Sequence, residues 1–147
     1  MVCLGNICRS PIAEGVLRHK VKEHGLNWVV DSAGTESFHV GEAPHEFSQK
    51  VCIQNGVDIS GQKARQFVRE DLRRYDRIYA MAADVKDEIR KIAGPTADIG
   101  KVDLLLNEAV DNCNANVPDP WNKEEVEYTP VYEMIEKACE AIVKRYR

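Results

Sequence analysis

Long apolar runs are missing from this chain: no segment approaches the ~20 consecutive apolar residues that a membrane-crossing helix needs. The first residues also lack the basic-then-apolar pattern of a secretory leader. An excess of basic charge is missing too. Lys and Arg total 20 against 24 Asp and Glu, for a net charge of −4 and a pI of about 5.6. That balance excludes whole-surface attraction to nucleic acid or to an anionic membrane. Cysteines are present but in no disulfide framework: there are five, an odd number, at Cys3, Cys8, Cys52, Cys113 and Cys139. This usage points to free thiols in a reducing compartment, and the expected location is the cytoplasm. No second Cys/His pair at ligand spacing accompanies Cys3 and Cys8, so a zinc site is a poor fit. Internal repeats and low-complexity tracts are absent as well. What is there is 147 residues, 44% hydrophobic and 30% charged. That suffices for one soluble domain, residues 1–147, with a core of its own.

Ser10-Pro11 predicts the N-cap and first residue of a helix, because serine accepts from a free N–H and proline lacks one. Ile12, Val16, Leu17 and Val21 follow at helical spacing, with Gly25 as a stop. Trp28-Val29-Val30 predicts a short strand ending in Asp31-Ser32-Ala33-Gly34-Thr35. Further helices are expected over Pro44–Asn55, at Asp71–Tyr75 and over Val85–Ile92, and further strands over Ile78–Met81 and Val102–Leu106. Thr129-Pro130 repeats the cap-then-proline start, and Val131, Ile135, Ala138 and Ile142 line one face of the last helix. Residues 107–123, rich in Asn, Asp and Pro, form the nearest thing to a long loop. Strands alternating with helices predict an α/β fold with a parallel sheet covered on both faces. Its working site lies at the carboxyl ends of the strands. Three segments meet there: the loop after Val2, Asp31–Thr35, and the stretch after Met81. A strand should precede the Cys3 loop, and Met1-Val2 are the residues available to form it.

The segment Cys3-Leu4-Gly5-Asn6-Ile7-Cys8-Arg9-Ser10 carries the chemistry. Run as a loop from a strand into the Ser10 helix, its N–H groups converge into an anion-binding nest, with Gly5 relaxing the backbone. The helix N-terminus adds positive potential at the same point. Arg9 brings a planar fork suited to two oxygens of one phosphate. A cysteine facing such a nest is favoured as thiolate, and Ser10 can donate to its sulfur. The arrangement reads as a nucleophile facing a phosphate, giving a phosphocysteine that water hydrolyses. The leaving group needs a proton. Asp119, held between Pro118 and Pro120, is the candidate acid and then the base toward water. The bland alternative is that Cys-X5-Arg arises by chance and Cys3 only fills space. Gly5, Asn6 and the Ser10-Pro11 helix start weigh against it.

The whole pattern resembles the low-molecular-weight protein tyrosine phosphatases. The match rests on VCLGNICRSPIAE, on Asp31-Ser32-Ala33-Gly34-Thr35, on Ala64-Arg65-Gln66, on Tyr75-Asp76 to Met81, and on Asp119-Pro120-Trp121, in the family's order over nearly the whole chain. The resemblance implies a three-layer αβα fold around a four-stranded parallel sheet, no metal and no cofactor. It implies Cys3 as nucleophile, Arg9 as phosphate clamp and Asp119 as general acid, with residues Leu4, Gly5, Asn6, Ile7, Cys8, Arg9 and Ser10 around the phosphate. Asn6 and Ser10 would support the loop through a polar network reaching Ser32. Ile7, Phe38 and Trp121 would wall a slot for an aromatic ring. The implied partners are phosphotyrosine proteins or aryl phosphates, met by a monomer.

Several positions depart from the family pattern. Gln62 stands where a histidine often supports the loop, Ala82 replaces the usual Asp after the strand methionine, and Val85 replaces an Asn. Pro44-His45-Glu46-Phe47 replaces a frequent Pro-Asp-X-Arg, and Trp121-Asn122 replaces the tandem tyrosines of mammalian members. Neither His39 nor His45 matches a family role. Members usually carry five to eight further residues as a first strand inside the sheet, so a nearly absent strand and low stability are expected here. Three other activities share the fold. Arsenate reduction needs two redox cysteines after the third strand, and residues 82–100 contain none. Phosphoarginine hydrolysis goes with Thr at the place of Ile7. A phosphocysteine carrier needs no acid loop, whereas Asp119-Pro120 is present; a non-catalytic module is the remaining alternative. Cys8 is either filler or a redox partner that captures an oxidised Cys3 as a disulfide.

Overall fold

The computed structural model of the protein describes all 147 residues. The elements run β1 (Val2–Cys3), α1 (Arg9–Glu23), β2 (Ala33–Gly34), α2 (Glu46–Gln54), α3 (Asp71–Arg74), β3 (Ile78–Ala80), α4 (Ala83–Ala93), β4 (Val102–Leu104) and α5 (Tyr128–Tyr146), with 3-10 turns at Leu105–Glu108 and Glu125–Glu127. All strand pairs are parallel and the sheet order is β2-β1-β3-β4. The chain is thus a three-layer α/β fold. Alternation along the strands sorts the two cores. Cys3, Tyr79 and Met81 face the larger one with α1, α2 and α5. Val2, Ala33, Ile78, Ala80, Val102 and Leu104 face the smaller one with Val85 and Ile89 of α4. No helix is long and apolar enough to cross a membrane.

β1 is two residues long and lies inside the sheet, between β2 and β3. Its reach is longer than its label. The Met1 nitrogen donates to the Asp31 carbonyl at 3.1 Å, Ala33 N–H donates to Met1 O at 3.0 Å, Thr35 N–H to Cys3 O at 3.0 Å, and Met81 N–H to Val2 O at 2.9 Å. These bonds place the nucleophile candidate at the carboxyl edge of the sheet. They also correct an expectation. Trp28-Val29-Val30 is not a strand, and β2 sits at Ala33–Gly34 instead. Residues 28–30 extend past the amino end of β1, so no strand runs beside them to make a ladder, and Val29 is 82% exposed. The expected strand over Val102–Leu106 likewise stops at Leu104 and turns into a 3-10 segment.

The helix starts differ from the sequence reading in an instructive way. α1 begins at Arg9 with Cys8 as a cap that offers no side-chain bond. Ser10 sits inside the first turn, where its hydroxyl turns to the site instead of to the helix N–H groups. α5 begins at Tyr128, so Thr129 is also inside the helix and not its cap. Pro11 and Pro130 remain harmless because first-turn N–H groups have no intrahelical acceptor. α2 is capped by His45, whose ring nitrogen accepts from Phe47 N–H at 3.0 Å. α4 shows the clean one-face pattern, burying Val85, Ile89 and Ala93. α1, by contrast, is buried all round over its first half, between the sheet and α5.

At the amino ends of β2 and β3, Arg65 joins two carboxylates. It bonds Asp71 with both terminal nitrogens, at 3.0 and 3.2 Å, and Asp31 through Nε at 3.1 Å. Asp71 is 1% exposed and also accepts from Val68 N–H at 2.9 Å, while Tyr75 donates to Asp31 at 2.9 Å. Arg65 is one-third exposed and keeps Asp31 when Asp71 is removed, so the loss is that of the hydrogen bonds on the buried carboxylate. Asp71→Ala is therefore expected to lower stability by about 1–3 kcal/mol, read as a lower urea midpoint with an unchanged slope.

Candidate active site

In the loop between β1 and α1 three carbonyls are tied to neighbouring segments while the N–H groups are left free. Leu4 O accepts from Glu36 N–H at 2.9 Å, Ile7 O from His45 N–H at 2.8 Å, and Cys8 O from the Ser48 hydroxyl at 3.2 Å. The N–H groups of Leu4 to Cys8 donate to no main-chain carbonyl. Asn6 takes the left-handed conformation, φ 58°, which turns successive amides to one side. The amino end of α1 points at the same place. The loop is thus a concave donor surface for an anion.

Gly34 lets the loop sit this close to β2. A Cβ there would lie 2.8 Å from Leu4 O, 2.9 Å from Gly5 C and 3.0 Å from Asn6 N, all main-chain atoms that cannot move singly. On the outer side the His39 ring packs over Gly5, and a Cβ on Gly5 would meet it at 3.0 Å. His39 in turn pairs with Glu42 at 2.7 Å.

The sequence-derived residues fall as follows. Cys3 is buried, and its sulfur lies 3.0 Å from Ser10 Oγ. Asn6 Nδ2 donates to Ser10 Oγ at 2.8 Å and to Ser32 Oγ at 3.0 Å. The guanidinium of Arg9 is buried, donates to Val117 O at 3.0 Å and stands 3.6 Å from an Asp119 oxygen. Asp119 reaches the site because Val117 N–H is tied to Met81 O at 2.8 Å, which hangs the 117–121 loop on the end of β3. The other Asp119 oxygen accepts from Trp121 N–H at 3.0 Å, folding the loop tip into a tight turn. Ile7 is buried, whereas Phe38 and Trp121 are 73% and 53% exposed. The aromatic side chains are thus offered to solvent and not to the core. Gln62 donates to Pro11 O at 3.1 Å and touches none of the loop-supporting side chains.

Cys8 is buried between the loop and the start of α5. Its sulfur is 3.6 Å from the Tyr128 hydroxyl, and burial pushes its thiol up to about 11. Tyr128 is itself fixed by stacking on His45 and by an edge contact with Phe47. Two contributors escaped the sequence reading. The main-chain N–H of Arg65 donates to Asn6 Oδ1 at 3.0 Å, and Glu14 Oε1 accepts from the Ser32 hydroxyl at 2.7 Å. A carboxylate one turn into a helix reads as a solvated residue, and no local signal marks it as buried. A cavity of about 640 Å³ lies elsewhere, at the amino ends of the strands among Trp28, Asp31, Tyr75 and Ile78.

Comparison with known proteins identifies the family and the fold. The sequence model of the family "low molecular weight phosphotyrosine protein phosphatase" matches residues 1–147. Low molecular weight protein-tyrosine-phosphatase YfkJ of Bacillus subtilis is 37% identical over 97% of this chain and 90% of its own. The crystal structure of a protein tyrosine phosphatase from Entamoeba histolytica with Hepes in the active site superposes with a TM-score of 0.89, at 32% identity over 98% of this chain and 92% of that one. The structure of Vibrio vulnificus Wzb in complex with benzylphosphonate gives 0.86, at 28% identity over 98% and 94%. With a family match over residues 1–147, a relative at 37% identity and shared folds, the chain belongs to the low molecular weight phosphotyrosine protein phosphatases, a family of enzymes.

Proposed function

We propose that the protein hydrolyses phosphotyrosine through a phosphocysteine on Cys3. The observation that carries the reading is the meeting of three groups at one loop: the Cys3 sulfur, the buried Arg9 guanidinium, and the Asp119 carboxylate 3.6 Å from that guanidinium. The phosphoryl oxygens sit among the free N–H groups of residues 4–8 and the Arg9 fork. The thiolate attacks phosphorus as the aryl–oxygen bond breaks, and Asp119 protonates the departing phenolate. Asp119, now ionised, takes a proton from water as that water attacks phosphorus. The S–P bond then breaks, and phosphate leaves with the thiolate restored.

Buried Ile7 and exposed Phe38 and Trp121 are proposed as the apolar walls for a phenyl ring, and the Vibrio vulnificus relative is described in complex with benzylphosphonate, which carries such a ring. Cys8 is proposed as the redox partner of Cys3. Peroxide converts the Cys3 thiolate to a sulfenic acid, and the Cys8 thiol displaces its oxygen as water to leave a disulfide. Because burial keeps Cys8 protonated, this capture is slow in the resting site. The five thiols, none of them in a disulfide, suit a cytoplasmic, monomeric enzyme.

A side-by-side assay with phosphotyrosine, phosphoarginine and arsenate tests the reading. Phosphotyrosine is expected to be turned over at least about tenfold faster than phosphoarginine, the scale on which an apolar wall discriminates, with no arsenate reduction. Preference for phosphoarginine would overturn the substrate assignment.

A further inference from the structure

Five polar groups form one buried chain: the Cys3 sulfur, Ser10, Asn6, Ser32 and Glu14. Three of them support the loop in the sequence reading, and Glu14 has no assigned part. Its side chain is 6% exposed, with Oε2 held 3.2 Å from Arg18 and Oε1 2.7 Å from Ser32 Oγ. We propose that Glu14 is a positioning residue for Cys3: by taking the Ser32 proton it leaves Ser32 Oγ to accept from Asn6, and together with the Arg65 N–H on Asn6 Oδ1 it holds the amide so that the Ser10 proton lies on the sulfur. The inference rests on the reading of Cys3 as nucleophile.

The direction follows from counting donors. A carboxylate accepts only, so the Ser32 hydroxyl gives its single proton to Glu14. Ser32 Oγ then accepts from the Asn6 amide nitrogen, 3.0 Å away. At the opposite edge, Arg65 N–H lies on Asn6 Oδ1, which holds the amide the same way round. The second Asn6 N–H goes to Ser10 Oγ. Ser10 therefore keeps its own proton for another acceptor. The two within reach are the Cys3 sulfur at 3.0 Å and Ala33 O at 3.5 Å, and the nearer one is the sulfur. Burial raises the pKa of Glu14, and the bonds from Ser32 and Arg18 oppose that rise. The other charged groups facing the chain are Asp31, the Met1 amino group and Arg65 at the Glu14 end, and Cys8, Arg9 and Asp119 at the sulfur end.

Charge alone gives the opposite sign, since a nearby carboxylate disfavours a thiolate. The two roles therefore separate in one experiment. The rate of Cys3 alkylation by iodoacetamide is followed against pH, with the modified peptide identified by mass, in wild type, Glu14→Gln, Ser32→Ala and the double variant. The expected result is a midpoint about one pH unit higher in each single variant, a tenfold smaller thiolate fraction below it. The double variant moves no further than either, because one chain is cut twice. An unchanged midpoint, or a lower one, overturns the proposal. Ser32→Ala leaves α1 untouched, so it decides the matter if Glu14→Gln folds poorly. Turnover retained by Cys3→Ser would instead overturn the nucleophile reading, which this titration does not address.

Discussion

Cys3→Ser is expected to abolish turnover of p-nitrophenyl phosphate and phosphotyrosine peptides, a loss of roughly 10⁴-fold or more. The variant keeps the size of the side chain within one atom. The main-chain bonds of Cys3 O to Thr35 and of Val2 O to Met81 do not involve the sulfur, so the sheet survives. The donor surface of residues 4–8 and the Arg9 guanidinium also survive, and the variant should still bind inorganic phosphate. What it loses is the sulfur nucleophile; a serine hydroxyl here has Ser10 beside it and no base. Steady-state kinetics paired with phosphate binding checks this. Full activity in the variant would remove the mechanism, and lost phosphate binding would show that the substitution damaged the loop.

The second large effect belongs to Asp119. Asp119→Asn should lower kcat by about 10²–10⁴-fold for phosphotyrosine and much less for p-nitrophenyl phosphate, whose phenolate leaves without help. The limb of the pH profile on which wild type slows as Asp119 loses its proton should flatten. The loop itself should stay in place, because Arg9 still donates to Val117 O and Val117 N–H still reaches Met81 O. A leaving-group series resolves the outcome. An equal fall for both substrates would mean that the introduced amide displaced Arg9, with which Asp119 is paired at 3.6 Å, and that acid catalysis is not the residue's part.

Physical locality explains how much of this was legible in the sequence. Gly5, Asn6 and Arg9 lie within one loop, so their spacing carries the anion-binding shape without the fold. The α/β alternation and the burial of Val85 and Ile89 follow from periodicity. Trp28-Val29-Val30 failed as a strand because strand formation depends on what lies alongside, which no local pattern states. Ser10 failed as a cap because its better partner, the Cys3 sulfur, is close only once β1 joins the sheet. Thr129 failed for a related reason: the buried Tyr128 carries the helix two residues further back. Glu14 was invisible because a helical glutamate is ordinarily solvated, and its partner Ser32 is brought to it by β2. The link from Arg65 N–H to Asn6 was hidden because a backbone donor leaves no trace in residue type.

Cys3 belongs to β1 and to the loop at once, and β1 is two residues held by neighbours on both sides. The strand that anchors the fold's centre is therefore the hinge of the reactive loop. Any fluctuation that frees Val2 and Cys3 from Ala33–Gly34 and Ala80 moves the sulfur away from Ser10 and from the loop it faces. Local opening of the sheet and loss of activity become one event, so the fraction of competent enzyme follows the opening equilibrium of a single short strand. Heat or mild denaturant should then silence the enzyme before the helices melt.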